Sequence, residues 1–241
     1  MKGIIKAAII GGVIIGLGVA IILITLAVNG WSIKKPEFDM QSYTTESEIS
    51  SLNIHIGAGQ VKVEFCDGDK IVVDYPVSDI FKPETSEKNG VFTFTSMPKK
   101  NHWFIGSWDI PKTTIKLPKD TVYDLDFEVN AGTVDIASGV YGKVEIEVNA
   151  GTLTLDSTTC DKLNCKLSAG ECKIKKLNCP DIKAKISAGS LSINIDDKKS
   201  AYDIKASVSA GSCNVSNQTV GGDKKLEVDC SAGSINVTFN N

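Results

Sequence analysis

The seven cysteines, Cys66, Cys160, Cys165, Cys172, Cys179, Cys213 and Cys230, are the side chains of this 241-residue sequence with the most chemistry to offer. A thiolate can act as nucleophile, metal ligand or half of a disulfide. The paired close spacings of a zinc knuckle are absent, and an odd count cannot close a complete disulfide framework. The only histidines, His55 and His102, stand at no metal-binding spacing. No serine or cysteine sits in a recognisable nucleophile elbow or signature. These residues point to a non-enzyme with no cofactor and no metal.

All 26 basic residues are lysine. Arginine supplies the bidentate fork for guanine edges, phosphates and transition-state charge, so its absence argues against nucleic-acid partners and phosphoryl chemistry. Setting aside Lys2 and Lys6 leaves 24 lysines against 29 acids, so the rest of the chain does not seek polyanions as a whole.

What positions these side chains is a repeat. An Asn/Ser-Ala-Gly tripeptide recurs with its alanine at Ala131, Ala150, Ala169, Ala188, Ala210 and Ala232, at spacings of 19, 19, 19, 22 and 22 residues. A period near 20 marks a solenoid, whose units are too thin to bury their own apolar faces and stack on their neighbours. Apolar residues alternate with polar ones on both sides of the Ala-Gly, as in LDFEV before it and TVDI after it, so each copy is two half-buried strands joined by a corner. Glycine at that corner is expected to supply a positive φ. An isolated copy around Ala58, in IGAGQVKV, indicates that the array begins upstream and is interrupted.

The repeat gives most cysteines a bland role. Cys172 and Cys213 stand in a column otherwise filled by Val, Leu and Ile, Cys230 replaces Val or Ile, and Cys165 matches Phe127 and Ile146, so all read as small core residues. Cys160 and Cys179 fall at equivalent positions of adjacent coils, near enough for a disulfide.

The outward positions of the first arm carry Asp126, Glu128, Glu145 and Glu147, then Lys166, Lys183, Lys185 and Lys205, then Glu227 and Asp229. Coils stacked in chain order would make an acidic end, a lysine stripe and a second acidic end. Glu147 with Lys166 and Lys205 with Glu227 would be cross-strand ion pairs; the stripe itself could meet an anionic envelope polymer or lipid headgroup. The second arm presents Thr133, Thr152, Thr154, Ser190, Ser192, Ser212, Asn214, Ser234 and Asn236, a neutral face suited to a glycan or to water. Trp103, Phe104 and Trp108 crowd one loop, NHWFIGSWDIP, which either caps an open end of the solenoid or touches a membrane or partner.

A strand running into LPKD, in TTIKLPKD, followed by successive VNAGxVxI and SAGxxxI units, resembles the bacterial adhesin-like β-strand-repeat family, a domain of unknown function, over roughly residues 47–241. The resemblance implies an all-β, β-solenoid-like fold at a bacterial envelope. It brings no catalytic residues to carry over. The 22-residue coils and the many cysteines depart from a strict pattern.

The sequence opens on Met1, taken here as the native start, and runs uncharged from Ala7 to Val28. At about 1.5 Å per residue that stretch crosses a hydrocarbon core of about 30 Å. It is longer than the apolar region of a cleaved signal peptide and reads as a retained transmembrane helix. Gly12, Gly16 and Ala20 fall on one face of it as small-xxx-small, a spacing that permits close helix packing with a membrane-protein partner or a second copy.

The sequence therefore describes an anchor over 1–28, a juxtamembrane linker over 29–46 and a β-solenoid-like repeated-strand domain over 47–241, with about 19–22 residues per coil. The expected role is a single-pass, non-enzymatic envelope protein with its C-terminal domain outside the cell, presenting a rigid surface for adhesion, binding or scaffolding. The other role considered is a sensory or regulatory partner of a membrane protein in an envelope-stress system.

Overall fold

A computed structural model describes residues 37–79, 81–97 and 110–240. The anchor at 7–28 with its Gly12, Gly16 and Ala20 face, most of the linker, and the aromatic loop with Trp103, Phe104 and Trp108 lie outside these. Among the described residues no helix is long and apolar enough to cross a membrane. Residues 38–241 form one unit of their own, and it is all-β.

Among the described residues nineteen strands build it. Six precede the regular array: β1 (Asp39–Thr44), β2 (Ser51–Ile56), β3 (Gly59–Cys66), β4 (Val72–Val77), β5 (Glu84–Lys88) and β6 (Val91–Ser96). Then follow β7 (Thr113–Pro118), β8 (Tyr123–Val129), β9 (Gly132–Ile136), β10 (Gly139–Val148), β11 (Thr152–Thr159), β12 (Lys162–Leu167) and β13 (Glu171–Asn178). The array closes with β14 (Asp181–Ile186), β15 (Ser190–Ile195), β16 (Tyr202–Val208), β17 (Ser212–Cys213), β18 (Lys224–Cys230) and β19 (Ser234–Phe239).

Each Ala-Gly turns the chain from a first-arm strand into a second-arm strand. Within the regular array first arms stack on first arms, in parallel and in register, with Val148 beside Leu167 and Leu167 beside Ile186; only the start of β10, at Gly139 and Val140, pairs with a second arm, β11. Second arms do the same, with Leu153 beside Cys172 and Cys172 beside Leu191. Strands buried on one face alternate apolar and polar residues, and in-register stacking turns that alternation into apolar ladders inside the coil. Ile54, Phe127, Ile146, Cys165, Ile186 and Leu191 are each no more than 2% exposed. At about 1.5–3 kcal/mol for each such side chain, these ladders supply the stability that no single coil could.

The corner keeps the ladder intact. The amides of Asn149 and Ala150 donate to the carbonyls of Val129 and Asn130 at 2.8 and 2.9 Å, and Ser168 and Ala169 repeat the pattern one coil on. The Asn149 side-chain amide also donates to Asn130 Oδ1 at 2.8 Å. The expectation that these glycines adopt positive φ fails: among the described corner glycines only Gly59, at 114°, does so. What excludes a side chain is the neighbouring coil. A Cβ on Gly151 would stand 2.6 Å from the Gly132 carbonyl oxygen, and one on Gly189 would stand 2.7 Å from that of Gly170.

The coils do not stack in chain order at either end. The early copy around Ala58 lies between later ones: β2 pairs with β6 on one side and β8 on the other, and β3 with β7 and β9. At the far end β18 and β19, the last strands, insert between β14–β15 and β16–β17. The inward residues of the two coils suit the second exchange. In the last coil Leu226, Val228, Cys230, Ile235 and Val237 are all buried, whereas in the preceding one Val208 is 43% exposed and Ala206 and Cys213 are half-buried. The more apolar coil takes the sandwiched place and the less apolar one becomes the end.

Those ends are then covered. Antiparallel strands flank the first coil, β5 on β6 and β4 on β7 with β1 outside β4, and the β5–β6 hairpin turns on Asn89-Gly90 at φ 52° and 76°, the left-handed pair that a two-residue hairpin needs. At the other edge Asn217 Oδ1 accepts from the Ala206 amide at 2.6 Å, and Ile204 and Gln218 exchange backbone hydrogen bonds.

Candidate functional site

Because inward and outward residues alternate, every charged or hydroxyl side chain of the repeat is held on a lattice whose step is the strand spacing, about 4.8 Å. On the first-arm sheet the row beginning at His55 continues through Glu128, Glu147, Lys166 and Lys185 to Asp229. The row beside it runs Asn53, Asp126, Glu145, Asn164, Lys183, Glu227, Lys205. The exchanged last coil thus puts Glu227 and Asp229 between Lys205 and the other lysines, and the four do not form one stripe.

Most of this face is neutralised from within. Lys166 stands 3.8 Å from Glu147 and Lys205 stands 3.8 Å from Glu227, the two cross-strand pairs expected from the pattern. Lys183 also reaches Glu227 at 3.2 Å, and Lys143 meets Glu145 at 2.9 Å. Lys185 makes no ion pair among the described residues. Exposed pairs of this kind contribute about 0.2–1 kcal/mol each, so their main effect is to cancel local charge.

The acidic end is more enclosed. Burial, then the Glu145 carboxylate alongside, raise the Asp126 carboxyl above its ordinary range, while the hydrogen bond from Lys143 lowers that of Glu145. His55 Nδ1 lies 3.0 Å from Glu128 Oε2. Among the described residues no three side chains of metal-ligating type converge. Lys205 belongs to a separate groove of about 480 Å³, shared with Asp181, Asp203, Asn217 and Gln218.

The second-arm sheet carries the plainest uninterrupted surface. Ser190, Ser192 and Asn194 of β15 stand beside Ser234, Asn236 and Thr238 of β19, and β17 adds Ser212, with Asn214 just beyond it. These eight side chains are uncharged and lie on three neighbouring strands. They are loosely tied to each other: Ser234 Oγ donates to Ser190 Oγ at 3.3 Å and Asn214 Nδ2 to Asn236 Oδ1 at 2.9 Å. Asn194 Oδ1 is buried with no hydrogen-bond partner. Thr133, Thr152 and Thr154 lie on the same face but are separated from this plate by Glu171 and Lys173.

The cysteines fall where the columns place them. Cys165, Cys172 and Cys230 are wholly buried, and Cys213 is half-buried in the end coil. Sequence reasoning missed that Cys165 and Cys172 touch across one coil. It also missed a clamp at the opposite end, where Glu87 of β5 binds the chain entering the array. The Tyr43 hydroxyl donates to Glu87 at 2.7 Å, and the Glu46 and Ser47 amides donate at 3.0 and 2.8 Å. No periodic signal marks Glu87, because β5 lies outside the repeat.

Stacked coils with in-register outer faces define a β-solenoid-like domain. The profile of the Toastrack family (DUF4097) matches residues 49–241, and the chain belongs to that family. No curated relative matches the chain by sequence. A candidate adhesin from Bacteroides fragilis has a similar fold, at 15% identity and a TM-score of 0.51, covering 85% of this chain and 99% of its own. A candidate cell-adhesion protein from Clostridium sporogenes aligns with 86% of this chain and 100% of its own, at 14% identity and a TM-score of 0.48.

Proposed function

We propose that this chain is a membrane-anchored, non-catalytic protein of the bacterial envelope, and that its repeat domain, held outside the cell by residues 7–28, binds an envelope polymer. The observation that carries this reading is the in-register ladder, which fixes rows of outward side chains at one spacing so that many weak contacts can add along an extended ligand. The neutral plate around Ser192 and Asn236 is the favoured contact, since the lysine face is largely cancelled by its own acids. A polar, sugar-rich polymer fits such a surface, since hydroxyls and amides donate and accept alike.

The test is co-sedimentation of the full-length protein, reconstituted in vesicles, with purified cell-wall polymer. Retention that falls at least tenfold in Ser192→Asp/Asn236→Asp but survives Lys166→Glu/Lys185→Glu supports the plate. The reverse pattern moves the contact to the first-arm sheet. No retention of the parent protein removes polymer binding altogether.

A further inference from the structure

Cys160 and Cys179 meet at the corner opposite the Ala-Gly turn. They directly follow β11 and β13, which pair in parallel through Thr159 and Asn178, and the Cys160 amide donates to the Asn178 carbonyl at 3.0 Å. Equivalent positions on neighbouring parallel strands lie about 4.8 Å apart, within the roughly 4.4–6.8 Å between α-carbons of disulfide-bonded cysteines. The two thiols are neighbours across this coil boundary, and Cys179 Sγ donates to the Asp181 carbonyl at 3.3 Å. Both are enclosed, Cys160 at 3% exposure and Cys179 at 0%, with the Tyr202 hydroxyl donating to the Cys179 carbonyl at 2.8 Å. The two preceding coils fill this corner with paired tyrosines, Tyr123 and Tyr141. Cysteine replaces them only here, in two consecutive coils.

We propose that Cys160 and Cys179 form a redox pair whose disulfide staples neighbouring coils of the array. The oxidant is a disulfide, either on a thiol oxidoreductase or on a small molecule such as oxidised glutathione. Either thiol can begin the exchange; where Cys179 does so, it loses its proton to solvent while these coils are still open. Its thiolate attacks one sulfur of the oxidant, forming a mixed disulfide and releasing one thiol. Cys160 then loses its proton and attacks the Cys179 sulfur, closing the protein disulfide and releasing the second thiol. Two protein thiols are oxidised and one disulfide is reduced to two thiols. Because the stacked pair is enclosed, the exchange precedes complete stacking of these coils. Cys165 and Cys172 also touch, but no backbone ladder sets their separation, and a bond there would join two arms of one coil.

Cleavage after lysine separates the four cysteines, leaving Cys160 in 144–162 and Cys179 in 177–183. The full-length chain is unfolded, refolded in oxidised or reduced glutathione, alkylated and digested. The expected product is 144–162 joined to 177–183 in the oxidised sample and absent from the reduced one. Alkylation of both cysteines, or linkage of Cys160 to another partner, overturns the assignment. The oxidised protein should also melt roughly 5–10 °C above the reduced one, as closure of a loop one repeat long predicts. Equal melting temperatures overturn the staple, and this comparison stands even if Cys160→Ser, in which the difference should vanish, folds poorly. None of these outcomes depends on the ligand of the domain.

Discussion

The Tyr43 hydroxyl and Glu87 Oε1 are 2.7 Å apart, and this contact ties the strand that enters the array to the hairpin that covers its first coil. Desolvation pushes the Glu87 carboxyl up, but the Tyr43 hydroxyl and the Ser47 and Glu46 amides outweigh it and hold the group at about 2. The same contact lifts the Tyr43 phenol to about 12.

A carboxylate lowered in the folded state stabilises it above the unfolded value and loses that contribution as pH falls through the folded value. The window for Glu87 therefore runs from 4.5 down to about 2. Glu87→Gln should lower stability near neutral pH by about 1–2 kcal/mol, because a charged acceptor of several hydrogen bonds becomes neutral. Thermal unfolding of both proteins from pH 7 to pH 2 should show the two curves converging below pH 4. A constant gap across that range would contradict the clamp.

At the described corners other than Gly59, close stacking and not backbone conformation is what demands glycine. Gly151→Ala should cost about 2–4 kcal/mol, since its Cβ has only backbone and the Val129 side chain to displace. Gly68→Ala is the control: its Cβ would meet nothing closer than 3.6 Å, and the change should stay within about 0.5 kcal/mol. Urea unfolding of the two variants measures the difference, and similar costs would remove the stacking argument.

The exchanged order at the far end is open to direct test. Ser192 pairs with Asn236, whereas stacking in chain order would place it beside Asn214. With the native cysteines replaced by serine or alanine, Ser192→Cys/Asn236→Cys should crosslink under mild oxidation and Ser192→Cys/Asn214→Cys should not. The opposite result would restore sequential stacking.

Much of this fold was legible in the sequence because a period-two alternation repeated every 19–22 residues admits few structures. It marked the two arms, the corner, the core placement of Cys165, Cys172 and Cys230, and the Glu147–Lys166 and Lys205–Glu227 pairs, all of which follow from register alone. The early copy around Ala58 was equally visible, since local pattern does not depend on where a coil docks.

What only the tertiary structure decided is which coil lies beside which. Every copy carries nearly the same edge, so hydrogen bonding hardly distinguishes chain order from the exchanged one; the smaller inward residues Ala206 and Cys213, opposite Val228 and Ile235 of the last coil, suit the β16–β17 coil to the end and the last coil to the sandwiched place. That choice moved Lys205 behind Glu227 and left Ser192 facing Asn236. The reason for the corner glycines was hidden for the same cause, because it lies in the carbonyl of a neighbouring coil and not in the residue's own φ. Glu87 escaped notice since its partners are 40 to 44 residues away in the chain and meet it only once the end of the array is closed.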